Sequence, residues 1–398
     1  MRKIRAYSAV IALTIALSAC GGGPDAATPA APEVDITKLD SGNYPTKPTD
    51  VEANRHPAAG ALRESIKIGA ASPTPYDFDN RFIYVKQRGG RHVTDDNPPF
   101  YSGAGFENAK EGLAVIPGVV AGWKTSAQRR DEFDAGRGVA TMVVRFSNSD
   151  QSRFAYEELA KRTEGNPDQI PGYPDAHVRV AIKKGSYTTQ YMRAWLVRGD
   201  LLIYIHLSDP VSMPFDGPAN AEIVKKYFDK QLEMLKSYSP TPLAEIDKLP
   251  IDVDGLLSHT LPSESGKNGG AAVYPTQALL HTARRLDTLS LALADAGVDY
   301  TSSDLGTVYR ARDSAAAVRY MAAEEAGSTT PKHTKVDGPP DMPGAHCYNA
   351  KPEEKYASDA PPFCLTVVGR YVIKSNSTNL QDAYQRLAAQ YKLLAGYS

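Results

Sequence analysis

The sequence predicts an α+β fold: two tandem, duplicated sheet-plus-helix domains, ferredoxin-like or similar, behind a signal peptide and a flexible tether. Three observations predict it. First, ATMVVRFSNSDQSRFAYEELAKR at 140–162 and GTVYRARDSAAAVRYMAAEEA at 306–326 share one layout. Each has a short β-branched run ending in arginine (Arg145, Arg310), then Ser or Asp where a helix cap belongs. Helix formers follow, ending in a Glu pair (Glu157-Glu158, Glu324-Glu325). Second, a Pro-Gly…Ala-His phrase follows each, IPGYPDAHV at 170–178 and MPGAHC at 342–347. Third, strand-like runs and a closing helix complete both copies. They are Tyr187–Val197, Leu201–Leu207 and Ala219–Ser237 in the first, Cys364–Lys374 and Asn379–Ala395 in the second. A repeat spaced near 160 to 172 residues is read before any local pattern. Each half is then a small, partly antiparallel sheet with helices on one face.

Taken in order, the chain opens Met1-Arg2-Lys3-Ile4-Arg5 and runs apolar from Ala6 to Ala19. Cations ahead of an apolar run too short to span a bilayer predict a secretory signal over residues 1–19. Leu17-Ser18-Ala19-Cys20 resembles the bacterial lipobox, whose cysteine receives a diacylglyceryl group and becomes the mature N-terminus. Two acyl chains suffice for stable anchoring. An acylated tether is expected over residues 20–40; GGGPDAATPAAP holds no large apolar residue, and a flexible chain of this length reaches about 25 Å.

An N-terminal α+β domain is expected over 41–238. Its first part, 41–117, holds AGALRESIKIG, read as one helix turning into a strand, and a long polar loop. Residues 239–274, rich in Pro, Gly and Ser, read as a linker. The C-terminal domain, 275–398, starts with a helix predicted from Thr276 to Ala296, after Pro275 and before Gly297. Leu279, Leu280, Ala283, Leu286, Leu289 and Leu293 form its apolar stripe. GVVAGWKTSAQRRDEF at 118–133 is its shorter, less regular counterpart.

The chain has three cysteines. With Cys20 acylated, Cys347 and Cys364 are an even pair in an oxidising compartment, on either side of a Pro-rich loop. Their spacing predicts a disulfide, worth about 3 kcal/mol in the chain-entropy account. His346 lies beside Cys347, but its counterpart His177 has no cysteine neighbour. The shared phrase therefore reads as a turn into a strand, with an imidazole bonded locally, and not as a metal site. No CxxC, HxxxH or HExxH spacing occurs in the sequence, and no metal or other cofactor is expected.

Forty-five basic and 46 acidic residues give a net charge of −1, without a Lys- or Arg-rich block, which argues against nucleic acid as a partner. There is no GxSxG elbow, Walker A loop or GxGxxG after a strand. The carboxylates of YDFDN and HVTDDN lack the glycine and closing glutamate of a calcium loop. Whether the protein is an enzyme is left open, with binding favoured. Twenty-two tyrosines suit a binding face. Tyr191, Trp195, Tyr204 and His206, on the central strands, are the candidate ligand-binding residues. The expectation is a non-catalytic lipoprotein on the extracytoplasmic face of the cell membrane, held there by the Cys20 lipid. Its paired domains would bind a small apolar ligand or an envelope protein. The alternative is an envelope hydrolase or monooxygenase-like enzyme, an analogy of fold alone.

The lipobox, LDSGNYPTKP, GTVYRARDSAAA, MPGAHC and FCLTVVGRYVIKSNSTNLQDAYQRLAAQYKLL together resemble a family of two-domain lipoproteins of mycobacteria, nocardiae and their relatives, filed as domains of unknown function. The resemblance covers most of the mature chain and is strongest from about residue 275. It implies an actinobacterial cell envelope and carries no activity or catalytic residue.

Overall fold

Apolar residues that alternate along two sets of strands build two antiparallel sheets, one from each half of the chain. The computed structural model describes residues 34–398 except 87–90, 95–96, 100, 102–103, 133–135, 186–187, 264–269, 355–359 and 398. The predicted signal, Cys20 and the tether as far as residue 33 lie outside the described residues.

The first half runs α1 (Ala59–Ala70), α2 (Pro75–Phe78), β1 (Tyr84–Val85), β2 (His92–Val93), α3 (Ala109–Val115), β3 (Val119–Gln128) and β4 (Gly138–Phe146). It continues with α4 (Ser149–Arg162), β5 (Asn166–Ile170), β6 (Tyr173–Lys184), β7 (Thr188–Arg198), β8 (Leu201–Asp209) and α5 (Gly217–Met234). The second half runs β9 (Ala272–Pro275), α6 (Thr276–Leu280), α7 (Leu286–Ala296), β10 (Tyr300–Ser303), β11 (Thr307–Arg310) and α8 (Ser314–Ser328). It ends with β12 (His333–Val336), β13 (His346–Ala350), β14 (Phe363–Val368), β15 (Tyr371–Asn376) and α9 (Leu380–Leu394).

The strand orders are β1-β3-β4-β8-β7-β6-β5, with β2 also beside β3, and β9-β10-β11-β15-β14-β13-β12. Without the small leading strands the two orders are the same, and α4 and α8 follow the second strand in each. The registers agree residue by residue. Arg145 faces Leu201 and Arg310 faces Tyr371; His177 faces Trp195 and His346 faces Leu365. The last two strands of each copy are joined at glycines with φ of 59° and 56°, Gly199 and Gly369, a conformation that favours glycine. The long helices of both copies start the same way. Asn148, Asp216, Asp313 and Asn379 each accept a hydrogen bond from a backbone N–H three residues on, at 2.7–3.0 Å.

Five expectations are corrected. Helices cover both faces of each sheet, not one, because the strands bury apolar residues on both sides. In the second sheet Val308 and Ile373 pack with Leu387 of α9, while Tyr309 and Val372 pack with Ala316 and Tyr320 of α8. The helix predicted over 276–296 is broken between α6 and α7. There the Arg284 carbonyl and the Leu286 N–H bond to Val85 and Ile83, at 3.2 and 2.9 Å, and a segment engaged in such pairing is not free to make helical bonds. Its supposed counterpart at 118–133 contains strand β3. Cys364–Lys374 is a hairpin, not one run, turned at Gly369. AGALRESIKIG does not turn into a strand: it is helical throughout, as α1.

The halves share a core. Leu62 and Ile66 of α1, Phe82, Trp123, Ile203 and Phe228 pack in one cluster with Ala272, Ala278, Ala283 and Leu286 of the second half. Within 239–274, Ile251, Leu256 and Leu257 are buried in the second half's core. Cys347 and Cys364 face each other across β13 and β14 and are disulfide-bonded, with 4.1 Å between their Cα atoms.

Candidate functional site

Directly opposed residues of neighbouring strands share a face. On β7 and β8 the opposed pairs are Trp195 with Tyr204, Arg193 with His206, and Tyr191 with Ser208. All four candidates read from sequence therefore lie on one face, and Arg193, which that reading passed over, lies among them.

The face has two zones. In the inner zone Trp195 stacks on Tyr204, ring centroids 3.9 Å apart. Both are buried in an apolar cluster with Met142, Leu159 and Leu202, beneath α4 and the segment bearing Tyr101. Trp195 donates its indole N–H to Thr163 Oγ1 at 3.1 Å, at the C-terminal cap of α4. These two residues hold α4 on the sheet.

The outer zone lies beyond that cluster, where β7 and β8 continue. Arg193 is 3% exposed, and its guanidinium stands 5.6 Å from the Tyr191 ring centre. The Tyr191 and His206 rings are 5.3 Å apart. Arg193 Nε and Nη1, and His206 Nε2, are buried without a hydrogen-bond partner; so is Gln128 Oε1 on β3. Burial pushes the His206 pKa down to about 3, and the charges of Arg193 and Lys183 add to that, so the ring is neutral near pH 7. Arg179 faces Arg193 from β6. The zone is thus a cationic row on a sheet floor, with donors unpartnered and one aromatic face beside them.

Counting from the Gly199 and Gly369 turns, the row Arg179–Arg193–His206 corresponds to Tyr348–Phe363–Asn376 of the second copy, which pair in the same register. There Tyr348 stacks on a buried Phe363 at 5.0 Å. The same position in one fold is an apolar stack in one copy and an unpartnered cation in the other.

Two other polar centres are self-contained. Glu64 of α1 is fully buried and accepts from Arg145 Nη1 (2.8 Å), Thr241 Oγ1 (2.7 Å), the Thr241 N–H (3.2 Å) and the Tyr238 hydroxyl, with Lys67 Nζ at 3.1 Å. A cavity of about 490 Å³ opens beside it, lined by Lys67, Tyr238 and Thr241. The carboxylate's lone pairs are already engaged, which leaves it no capacity as a base or metal ligand. His346 Nδ1 lies 2.8 Å from Glu325, which also accepts from Tyr348. The counterpart His177 packs edge-on to Tyr156 at 6.3 Å. Both histidines face the preceding helix; His346 is bonded there, but His177 Nε2 is buried without a hydrogen-bond partner, which corrects the locally bonded imidazole expected from sequence. Among the described residues no group of three or more His, Cys, Asp or Glu could hold a metal ion, and no helix is long and apolar enough to cross a membrane.

Residues 24–251 match the family described as Domain of unknown function (DUF7373) N-terminal, and residues 256–397 match Domain of unknown function (DUF7373) C-terminal. The chain therefore belongs to this two-part family. No curated protein matches it. One similar solved structure is the extracellular domain of PknH from Mycobacterium tuberculosis, 12% identical over 42% of this chain and 96% of that one. Its TM-score of 0.32 is too low to assign a fold.

Proposed function

We propose that this member of the two-part DUF7373 family is a non-catalytic lipoprotein of an actinobacterial cell envelope. It is anchored at Cys20 on the extracytoplasmic face of the membrane and binds a ligand at the outer end of its first sheet. One observation carries the binding reading. Buried polar groups normally find partners, and Arg193 Nε and Nη1 and His206 Nε2, on opposed residues of one sheet face, have none among the described residues. Tyr191 supplies a ring against which a ligand can lie. The anchor rests on the cationic start, the apolar run and the lipobox-like Leu17-Ser18-Ala19-Cys20. A disulfide pair suits an oxidising compartment.

The test purifies the chain from its native envelope and identifies copurifying molecules by mass spectrometry. A stoichiometric small molecule that is lost with Tyr191→Ala supports the reading; a preparation that carries only protein partners refutes it. Cys20→Ser is expected to move the chain from the membrane fraction to the soluble one, and retention in the membrane fraction would sink the anchor. The enzyme alternative draws on the His346–Glu325 pair, since a carboxylate that orients a ring nitrogen is a common acid–base arrangement. Hydrolysis of ester or peptide probes that vanishes in His346→Gln would favour it.

A further inference from the structure

We infer that the outer end of the first sheet recognises an oxyanion, carboxylate or phosphate, on the unpartnered edges of the Arg193 guanidinium, with the rest of the ligand lying along Tyr191. This rests on the binding reading above and sharpens it, in place of the apolar ligand expected from sequence.

Three observations lead there. The described residues include three buried arginines, Arg145, Arg193 and Arg310. Arg145 is held by Glu64 and Asp200, at 2.8 and 3.0 Å, and Arg310 by Asp254 and Asp299, at 2.9 and 2.8 Å. Among the described residues no carboxylate lies in salt-bridge range of Arg193, and a charge buried without a counter-ion is costly unless something supplies one. Second, the fold does not require this cation, because the second copy places Phe363 at the same register and packs it against Tyr348. Third, the surroundings favour an anion. Arg179 flanks Arg193 and spends one N–H on the Val178 carbonyl at 3.3 Å; Lys183 reaches only an exposed Glu164 at 3.6 Å. His206 Nε2, on the residue opposed to Arg193, remains to bond another polar atom of the ligand. A planar guanidinium matches the flat, paired oxygens of a carboxylate or the face of a phosphate.

The experiment titrates the full mature chain with inorganic phosphate and, separately, with acetate, by isothermal titration calorimetry at constant ionic strength. Arg193→Gln and Arg193→Lys are run alongside, with near-UV circular dichroism as the check on folding. Saturable binding of at least one anion is expected, weakened at least tenfold in Arg193→Gln and by an intermediate factor in Arg193→Lys, with unchanged spectra. Response to phosphate alone assigns a phosphate-bearing ligand, and response to acetate alone a carboxylate. Absence of saturable binding by the wild-type chain, or equal binding by Arg193→Gln, overturns the inference. A neutral compound that copurifies and depends on Tyr191 would also overturn it, while leaving the binding function standing.

Discussion

Replacing Glu64 by Gln tests whether the buried carboxylate is a structural keystone. The substitution keeps the size, removes the charge and turns one acceptor oxygen into a donor that faces donors. Removing one partner of a buried ion pair costs about 3–5 kcal/mol. Here Arg145 keeps Asp200 at 3.0 Å and Lys67 is partly exposed, so neither cation is left wholly uncompensated. The loss should sit at the low end, about 3 kcal/mol. Urea denaturation should show a lowered midpoint with an unchanged slope. The pH dependence adds a second reading. Burial raises the Glu64 pKa, but hydrogen bonds from Tyr238, Thr241 and Lys67 outweigh it and hold the carboxyl below its ordinary value. A carboxyl with a depressed folded pKa gives stability that is present above the unfolded pKa and lost as pH falls through the folded one. Wild type should therefore weaken below about pH 4, and Glu64→Gln should show a flatter profile there. A loss under about 1 kcal/mol, the range of exposed pairs, together with parallel pH profiles, would refute the keystone role.

Two further outcomes are expected. Glycine to alanine in a helix normally gains about 1 kcal/mol, yet a β-carbon at Gly60 of α1 would collide with the Ile246 carbonyl. Gly60→Ala should instead destabilise by about 1–3 kcal/mol, read as a fall in Tm, and a rise in Tm would show that the contact yields. Replacing both Cys347 and Cys364 with Ala should cost about 3 kcal/mol in urea, because the bond closes a loop with a sequence separation of 17. An unchanged midpoint would mean that the strand pairing alone orders that loop.

The duplication was legible because its markers are local: a strand ending in arginine, a capped helix, a Pro-Gly turn. The disulfide followed from cysteine parity. Strand alternation put Tyr191, Trp195, Tyr204 and His206 on one face, but it could not say where α4 stops covering that face. Trp195 and Tyr204 belong to the apolar cluster that α4 closes with Ala155 and Leu159, while Tyr191 and His206, on the same face, lie outside that cluster. Arg193 had a signal, a charge inside the otherwise apolar run YMRAWLV. The Glu64 centre had none, since Arg145, Tyr238 and Thr241 reach it from distant parts of the chain. The break at 281–285 was equally hidden, because the apolar stripe continues across it and the pairing that interrupts it comes from residues 83–85.

That pairing bears on the history of the molecule. Once Arg284 and Leu286 exchanged hydrogen bonds with Val85 and Ile83, and Trp123 came to share a cluster with Ala278 and Leu286, neither copy kept a surface fit to face water alone. Deletion of either repeat, or a swap of copy order, would expose an apolar seam. The ancestral unit can no longer be recovered by division, and at positions such as Arg193 and Phe363 the two copies have parted.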